Sequence, residues 1–158
     1  MKKNIYTEAY RLLKNFTPLK GDCGELCDKN CCKGDWRTGM LLFPNEETTL
    51  DVIEENGRRL AVCGGKCDRT ERPLSCRIFP FFPVIINGRV RAVPDMRGIN
   101  VCPMLSHMDE IKFSRRFLRR VERVGELLLT DSECASFMKE IAEEIEDAQK
   151  INDLFGTK

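Results

Sequence analysis

Nine cysteines and a single histidine are the residues best equipped for chemistry in this 158-residue sequence. Eight of the cysteines, Cys23, Cys27, Cys31, Cys32, Cys63, Cys67, Cys76 and Cys102, fall between residues 23 and 102, and only Cys134 lies outside that stretch. The first four follow the pattern Cys23-x3-Cys27-x3-Cys31-Cys32. A spacing of four puts side chains on one face of a helix or of successive turns. Zinc and iron–sulfur centres both need several thiolates at short bond lengths, and local spacing supplies them at low entropic cost. Cys31 and Cys32 point in different directions in most backbones, so they are not both expected as ordinary ligands of one tetrahedral ion. One of them serves a second site, belongs to a cluster, or packs.

The second group is Cys63-Gly64-Gly65-Lys66-Cys67, whose glycines allow a tight turn close to a metal. Cys76 follows Arg72-Pro73, and Cys102 precedes Pro103. Eight thiols permit two four-thiolate sites, or one site with spare thiols. The segment MKKNIYTEAYRLLKNF carries Glu8, Arg11 and Lys14, which interrupt the apolar run a signal peptide needs. The expected location is therefore the reducing cytoplasm, where stable disulfides are rare, and an odd cysteine count would leave one unpaired in any case. Metal ligation by the eight cysteines is the expected chemistry. A metal that only folds the region is weighed beside a catalytic one, because small irregular regions commonly need a staple.

These residues resemble the YkgJ-like cysteine-cluster family of zinc- or iron-chelating domains. Arg72-Pro73-Leu74-Ser75-Cys76-Arg77-Ile78-Phe79-Pro80-Phe81 is similar to the family's RPxxCRxFPF string. Cys31-Cys32 match its CC pair, Cys63 and Cys67 its intermediate cysteines, and Cys102 a downstream one. The first cluster has three residues between cysteines where the family has two. The resemblance covers residues 20–105 and implies zinc or an iron–sulfur cluster as cofactor. The family includes flagellin lysine N-methylases, which resemble the chain at Cys31-Cys32-Lys33-Gly34. An iron–sulfur-dependent group-transfer enzyme is thus the alternative that the resemblance implies.

Other charged residues take supporting parts. A four-thiolate zinc site carries excess negative charge, which Arg72 and Arg77 beside Cys76 are expected to offset by hydrogen bonds and charge. Arg37 and Arg69 stand near enough in sequence to offset the same charge, Lys29, Lys33 and Lys66 read as solvated surface, and Asp22, Asp28, Asp35 and Asp68 as turn or cap residues. His107 has no partner motif, so a helix-start or surface role is expected. No dinucleotide fingerprint or phosphate-binding loop is present.

The elements that must position these residues follow from periodicity and punctuation. Ile5, Ala9, Leu12 and Phe16 mark an amphipathic helix over residues 3–16, ended by Pro18. Residues 39–43 read as a short strand before Pro44. Asn45 is expected to cap a helix over 46–56, with Leu50 and Ile53 inward and Gly57 as its stop. Residues 59–63 read as a strand. The runs 81–86 and 89–93 flank Asn87-Gly88, the strongest short hairpin signal. Trp36, Phe43, Phe79, Phe81 and Phe82 are expected as core around the metal region. Two tail helices follow, over 108–129 with Phe117, Val121, Val124 and Leu128, and over 131–152 with Cys134, Met138, Ile141, Ile145 and Ala148. Thr130 and Glu133 suggest a capping box for the second. Cys134 belongs to its apolar stripe and is expected to pack as a small hydrophobe.

Lys112, Arg115, Arg116, Arg119, Arg120 and Arg123 sum to +5 after Glu122, while residues 131–153 sum to −6. The helices are expected to pack antiparallel with complementary charge, so a nucleic-acid partner is not expected. A nucleic-acid or protein adaptor using the arginine helix 112–123 is the remaining alternative. With a net charge of +1 and no apolar run long enough to span a membrane, no membrane partner is expected. The fold expected is one α+β domain over residues 1–158. It holds a cysteine-rich irregular middle at 17–103 with a short β-hairpin, between an N-terminal helix and a helical tail at 104–158.

Overall fold

The computed structural model describes residues 2–14, 16–18, 40–62, 71–99 and 102–155. It is a mixed α+β fold with helices at both ends. Helix α1, Lys2–Leu13, buries Tyr6, Ala9, Leu12 and Leu13. It stops short of the expected residue 16, because the Phe16 N–H turns back to the Leu13 carbonyl at 3.1 Å. The chain then reaches Pro18, whose carbonyl accepts the Ser114 N–H at 2.9 Å.

Strands β1, Met40–Leu41, β2, Asp51–Glu55, and β3, Arg58–Val62, form an antiparallel sheet in the order β1-β3-β2. The helix expected over 46–56 is not present. Its place is taken by a loop, then β2, then the Asn56-Gly57 turn into β3. Asn56 and Gly57 both have positive φ, 53° and 76°, as the tight hairpin turn requires. Asn45, the expected cap, also has positive φ, 64°, and its amide donates to Glu133.

Helix α2, Leu74–Ile78, leads through a cis Phe79-Pro80 bond into the hairpin of β4, Phe81–Ile86, and β5, Arg89–Pro94. Asn87 and Gly88 turn it with φ of 52° and 78°, as the sequence predicts. The pairs run from Ile86↔Arg89 to Phe81↔Pro94. Counting alternately from the turn, Pro83↔Ala92 is a non-hydrogen-bonded pair, so the missing Pro83 N–H costs the ladder nothing. The Ala92 N–H points outward and meets the Glu122 carboxylate at 3.2 Å.

A 3₁₀ turn at Met96–Gly98, a short helix α3, Pro103–Ser106, and a second 3₁₀ turn at Met108–Glu110 follow. Helix α4, Arg115–Leu128, begins later than the expected residue 108, at Ser114, whose hydroxyl accepts the Phe117 N–H at 3.2 Å. Helix α5 is Ser132–Phe155. At the expected capping box the Thr130 hydroxyl donates back to the Leu127 carbonyl, and Glu133 accepts from Asn45.

One apolar cluster joins α1, α2, the hairpin, α4 and α5. Phe117, Val121, Val124 and Leu128 of α4 and Cys134, Met138, Ile141 and Ile145 of α5 all belong to it, on the stripes the sequence predicts. Phe43 stacks on Phe82 with centroids 5.8 Å apart. A smaller cluster of Met96, Cys102, Met104 and Leu105 gathers Phe79 and Ala148 around it. Gly125 lets α4 lie against the hairpin, since a Cβ there would meet Pro83 Cβ at 2.5 Å and Val90 Cγ1 at 2.7 Å. Helix α4 packs chiefly on α1 and the hairpin, and α5 on the 96–98 turn and β4.

Candidate functional site

Cys76 sits half-buried in the middle of α2. The five residues of α2 are too few to stabilise themselves, and Pro73 offers no side-chain cap. Its start is held instead by Glu46, a fully buried carboxylate. Glu46 Oε2 accepts the Leu74 N–H at 2.8 Å and the Tyr10 hydroxyl at 2.5 Å, while Oε1 accepts the Phe43 N–H at 3.0 Å. Burial pushes this carboxyl above its ordinary range, against the opposing pull of those bonds and of the Arg59 charge. Arg59 in turn donates to the carbonyls of Phe43 and Glu46. Burial and the Glu46 carboxylate both push the Tyr10 hydroxyl's pKa upward. One acid thus joins α1, the β1–β2 loop and the cysteine-bearing helix.

Arg77 lies over the Tyr10 ring, 4.4 Å from its centroid, and its Nε donates to the Arg72 carbonyl at 2.7 Å. Burial lowers its pKa. Arg72 is half-buried at the approach to α2. Cys102 is buried at the start of α3, with its N–H on the Gly98 carbonyl at 3.0 Å. Gly98 abuts the Phe79 ring, just past the end of α2, so the segments carrying Cys76 and Cys102 approach each other there.

Cys23, Cys27, Cys31, Cys32, Cys63 and Cys67 lie outside the described residues, as do Trp36, Lys29, Lys33, Arg37, Lys66, Arg69 and the four aspartates near the cysteines. The residues bordering these stretches are described. Met40 opens β1 and pairs with Ala61, while Asp51 pairs with Val62, the last residue of β3. The first cysteine stretch therefore enters the sheet at the end from which the second leaves. The Ser75 hydroxyl, next to Cys76, donates to the Leu41 carbonyl of β1 at 2.6 Å. Among the described residues no group of three His, Cys, Asp or Glu side chains is placed to hold a metal ion.

His107 is exposed beside Glu110, with Nδ1 3.4 Å from the carboxylate. Cys134 is fully buried, with the Tyr6 hydroxyl 3.2 Å from its Sγ. Tyr6 also donates to the Pro44 carbonyl. An open groove lined by Leu41, Glu55, Asn56, Arg58, Leu60 and Glu140 is spanned by the Arg58–Glu140 pair.

The expected charge pairing between the tail helices is not what forms. Glu140 and Glu144 pair with Arg58 of β3, at 3.4 and 2.5 Å, and Glu146 with Lys150. Among the described residues no ion pair joins α4 to α5. Glu46 is the residue that sequence reasoning missed: nothing in Asn45-Glu46-Glu47 separates it from its exposed neighbours. Asn56-Gly57 carried the same hairpin signal as Asn87-Gly88. No helix among the described residues is long and apolar enough to cross a membrane. Comparison with protein-family models, curated proteins and solved structures finds no match to this chain.

Proposed function

We propose that the chain is a metal-binding protein that holds zinc or an iron–sulfur centre through its clustered cysteines, in a role that is mainly structural or concerned with handling metal or redox equivalents. The observation that carries this reading is that both cysteine-rich stretches join the β1-β3-β2 sheet at one end, with Cys76 next to the Ser75 bond to β1. Cysteines tethered at neighbouring points close a common site over short loops, and closure entropy rises slowly with loop length. The need for a staple supports the same reading. Strand β1 has two residues, and β2 is exposed at four of its five positions, so the sheet has little apolar surface of its own. Metal binding energy spent on such a region is folding energy.

Anaerobic purification with metal analysis and a visible spectrum tests the proposal. A colourless protein with stoichiometric zinc supports a structural ion, and a coloured, reducible protein with iron and sulfide supports a cluster. A metal-free protein that stays folded, with its cysteines reacting as ordinary thiols, overturns it.

A further inference from the structure

We propose that the outer face of α4 is a docking surface for the phosphate backbone of double-stranded DNA, bound without regard to sequence. Arg116, Arg119, Arg120 and Arg123 recur at i, i+3, i+4 and i+7 and so form one stripe along the helix. The stripe of Phe117, Val121, Val124 and Leu128, about a third of a turn away around the helix, is fully buried. Among the described residues, ion pairs form at Arg11, Arg58, Arg97, His107 and Lys150, and none forms at Lys112, Arg115, Arg116, Arg119 or Arg123. Arg120 is pinned over the Phe16 ring, 4.6 Å from its centroid. Glu122 is turned to the Ala92 N–H, and Glu126 bounds the stripe one turn past Arg123.

This arrangement works against the helix that carries it. Neighbouring arginines one turn apart repel, and the first turn holds Arg115 and Arg116 with no acid, the reverse of what the helix dipole favours. An external polyanion relieves both effects. Arginine's planar fork suits phosphate oxygens, and among the described residues Arg116, Arg119 and Arg123 form no ion pair. The stripe spans about 10 Å of helix axis, at ~1.5 Å per residue. Over that length duplex DNA presents about six charges, at ~1.7 Å each, so the arginines can meet separate phosphates without bending the duplex.

Rival anions fit less well. A membrane surface would need an apolar face to insert, and that face of α4 is buried in the core. A single strand would need exposed aromatic platforms, whereas Phe117 is buried and Phe16 is covered by Arg120. In the acidic helix of a second copy, three of the eight acids over residues 131–153 are already paired, Glu140 and Glu144 with Arg58 and Glu146 with Lys150.

The test is fluorescence anisotropy of a labelled mixed-sequence duplex of about 20 base pairs, titrated with the full chain as purified, from about 50 to 200 mM salt. Binding should weaken linearly in log–log form with salt. Replacing Arg116, Arg119 and Arg123 together by Gln should lower the magnitude of that slope by about 2.7, at ~0.9 per phosphate contact. The same three positions replaced by Lys should keep the slope, and circular dichroism checks that both variants remain folded. Four results overturn the proposal: no duplex binding at the lowest salt; an unchanged slope in the Gln variant; preferential binding to phosphatidylserine vesicles; or a salt-sensitive dimer, abolished in the Gln variant, with no DNA binding.

Discussion

Replacing Glu46 by Gln probes the buried carboxyl with the least change in shape. The two backbone amides use different oxygens: Phe43 N–H bonds Oε1, and Leu74 N–H bonds Oε2. A side-chain amide has one oxygen, so in either orientation one backbone N–H faces another N–H. Tyr10 can rotate its hydroxyl and accept, but a backbone amide cannot. Leaving one buried donor without an acceptor costs about 1–3 kcal/mol. Glu46→Ala strands both amides, about 2–6 kcal/mol, which approaches a small domain's whole stability of about 5–15 kcal/mol.

The pH dependence gives a sharper reading. The folded carboxyl sits above its ordinary value of 4.5, chiefly because burial penalises the charge. Well below 4.5 the group is protonated in both states and contributes no slope. As pH rises past 4.5 the unfolded chain releases its proton while the native state holds one, so stability falls until pH passes the raised folded value. The steepest slope one proton allows is about 1.4 kcal/mol per pH unit. Urea unfolding of wild type and Glu46→Gln across mildly acidic to neutral pH reads this directly. The wild-type advantage should shrink as pH rises, because Gln does not titrate and other groups cancel in the difference. A difference that is flat, or that grows with pH, refutes the reasoning.

Gly125→Ala should destabilise by about 1–3 kcal/mol in thermal or urea unfolding, because overpacking against Pro83 and Val90 outweighs the ~1 kcal/mol that Ala gains in helix propensity. Cys134→Ser should cost about 1–2 kcal/mol in unfolding free energy and leave metal content unchanged, whereas Cys76→Ser should lower metal content in the purified protein. Metal removal by a chelator should strip hydrogen-exchange protection from β1, β2, β3 and α2 first, while the core faces of α4 and α5 keep theirs.

The elements legible in the sequence were those whose own residues decide their structure. Phe117, Val121, Val124 and Leu128 repeat with the helical period because α4 has one buried face. Asn87-Gly88 set the hairpin because few other dipeptides reach that turn. Residues 46–56 misled for a physical reason. Strand β2 is exposed on both faces, so it shows no two-residue alternation, and Leu50, Ile53 and Gly57 matched a helix by default. Thr48, Thr49, Val52 and Ile53 are β-branched, which favours a strand, and Asn56-Gly57 should have outweighed the supposed cap. The grouping of eight cysteines was visible at once, since it needs only counting. Glu46 was not, because its role depends on Tyr10 and Leu74, far away in the chain. The charge pairing of α4 with α5 was inferred from net charge alone, and net charge does not say which side chains meet.

Cys134 and Cys76 show how the fold assigns different chemistry to one residue type. Cys134 lies on the inner stripe of α5, and burial pushes its thiol up to about 11, with the Asp131 and Glu133 carboxylates adding to the effect. A thiol held protonated at neutral pH is a poor ligand and a poor nucleophile. It therefore packs, held by Tyr6, and its value to the protein is the volume it fills. Cys76 is half-buried on a five-residue helix, with the Arg77 guanidinium following it in sequence. That helix depends on a buried acid from another segment for its first turn, so the site's rigidity is supplied by the core. Weakening Glu46 should therefore loosen Cys76 before it disturbs Cys134, even though both cysteine-bearing helices contribute to the same apolar cluster.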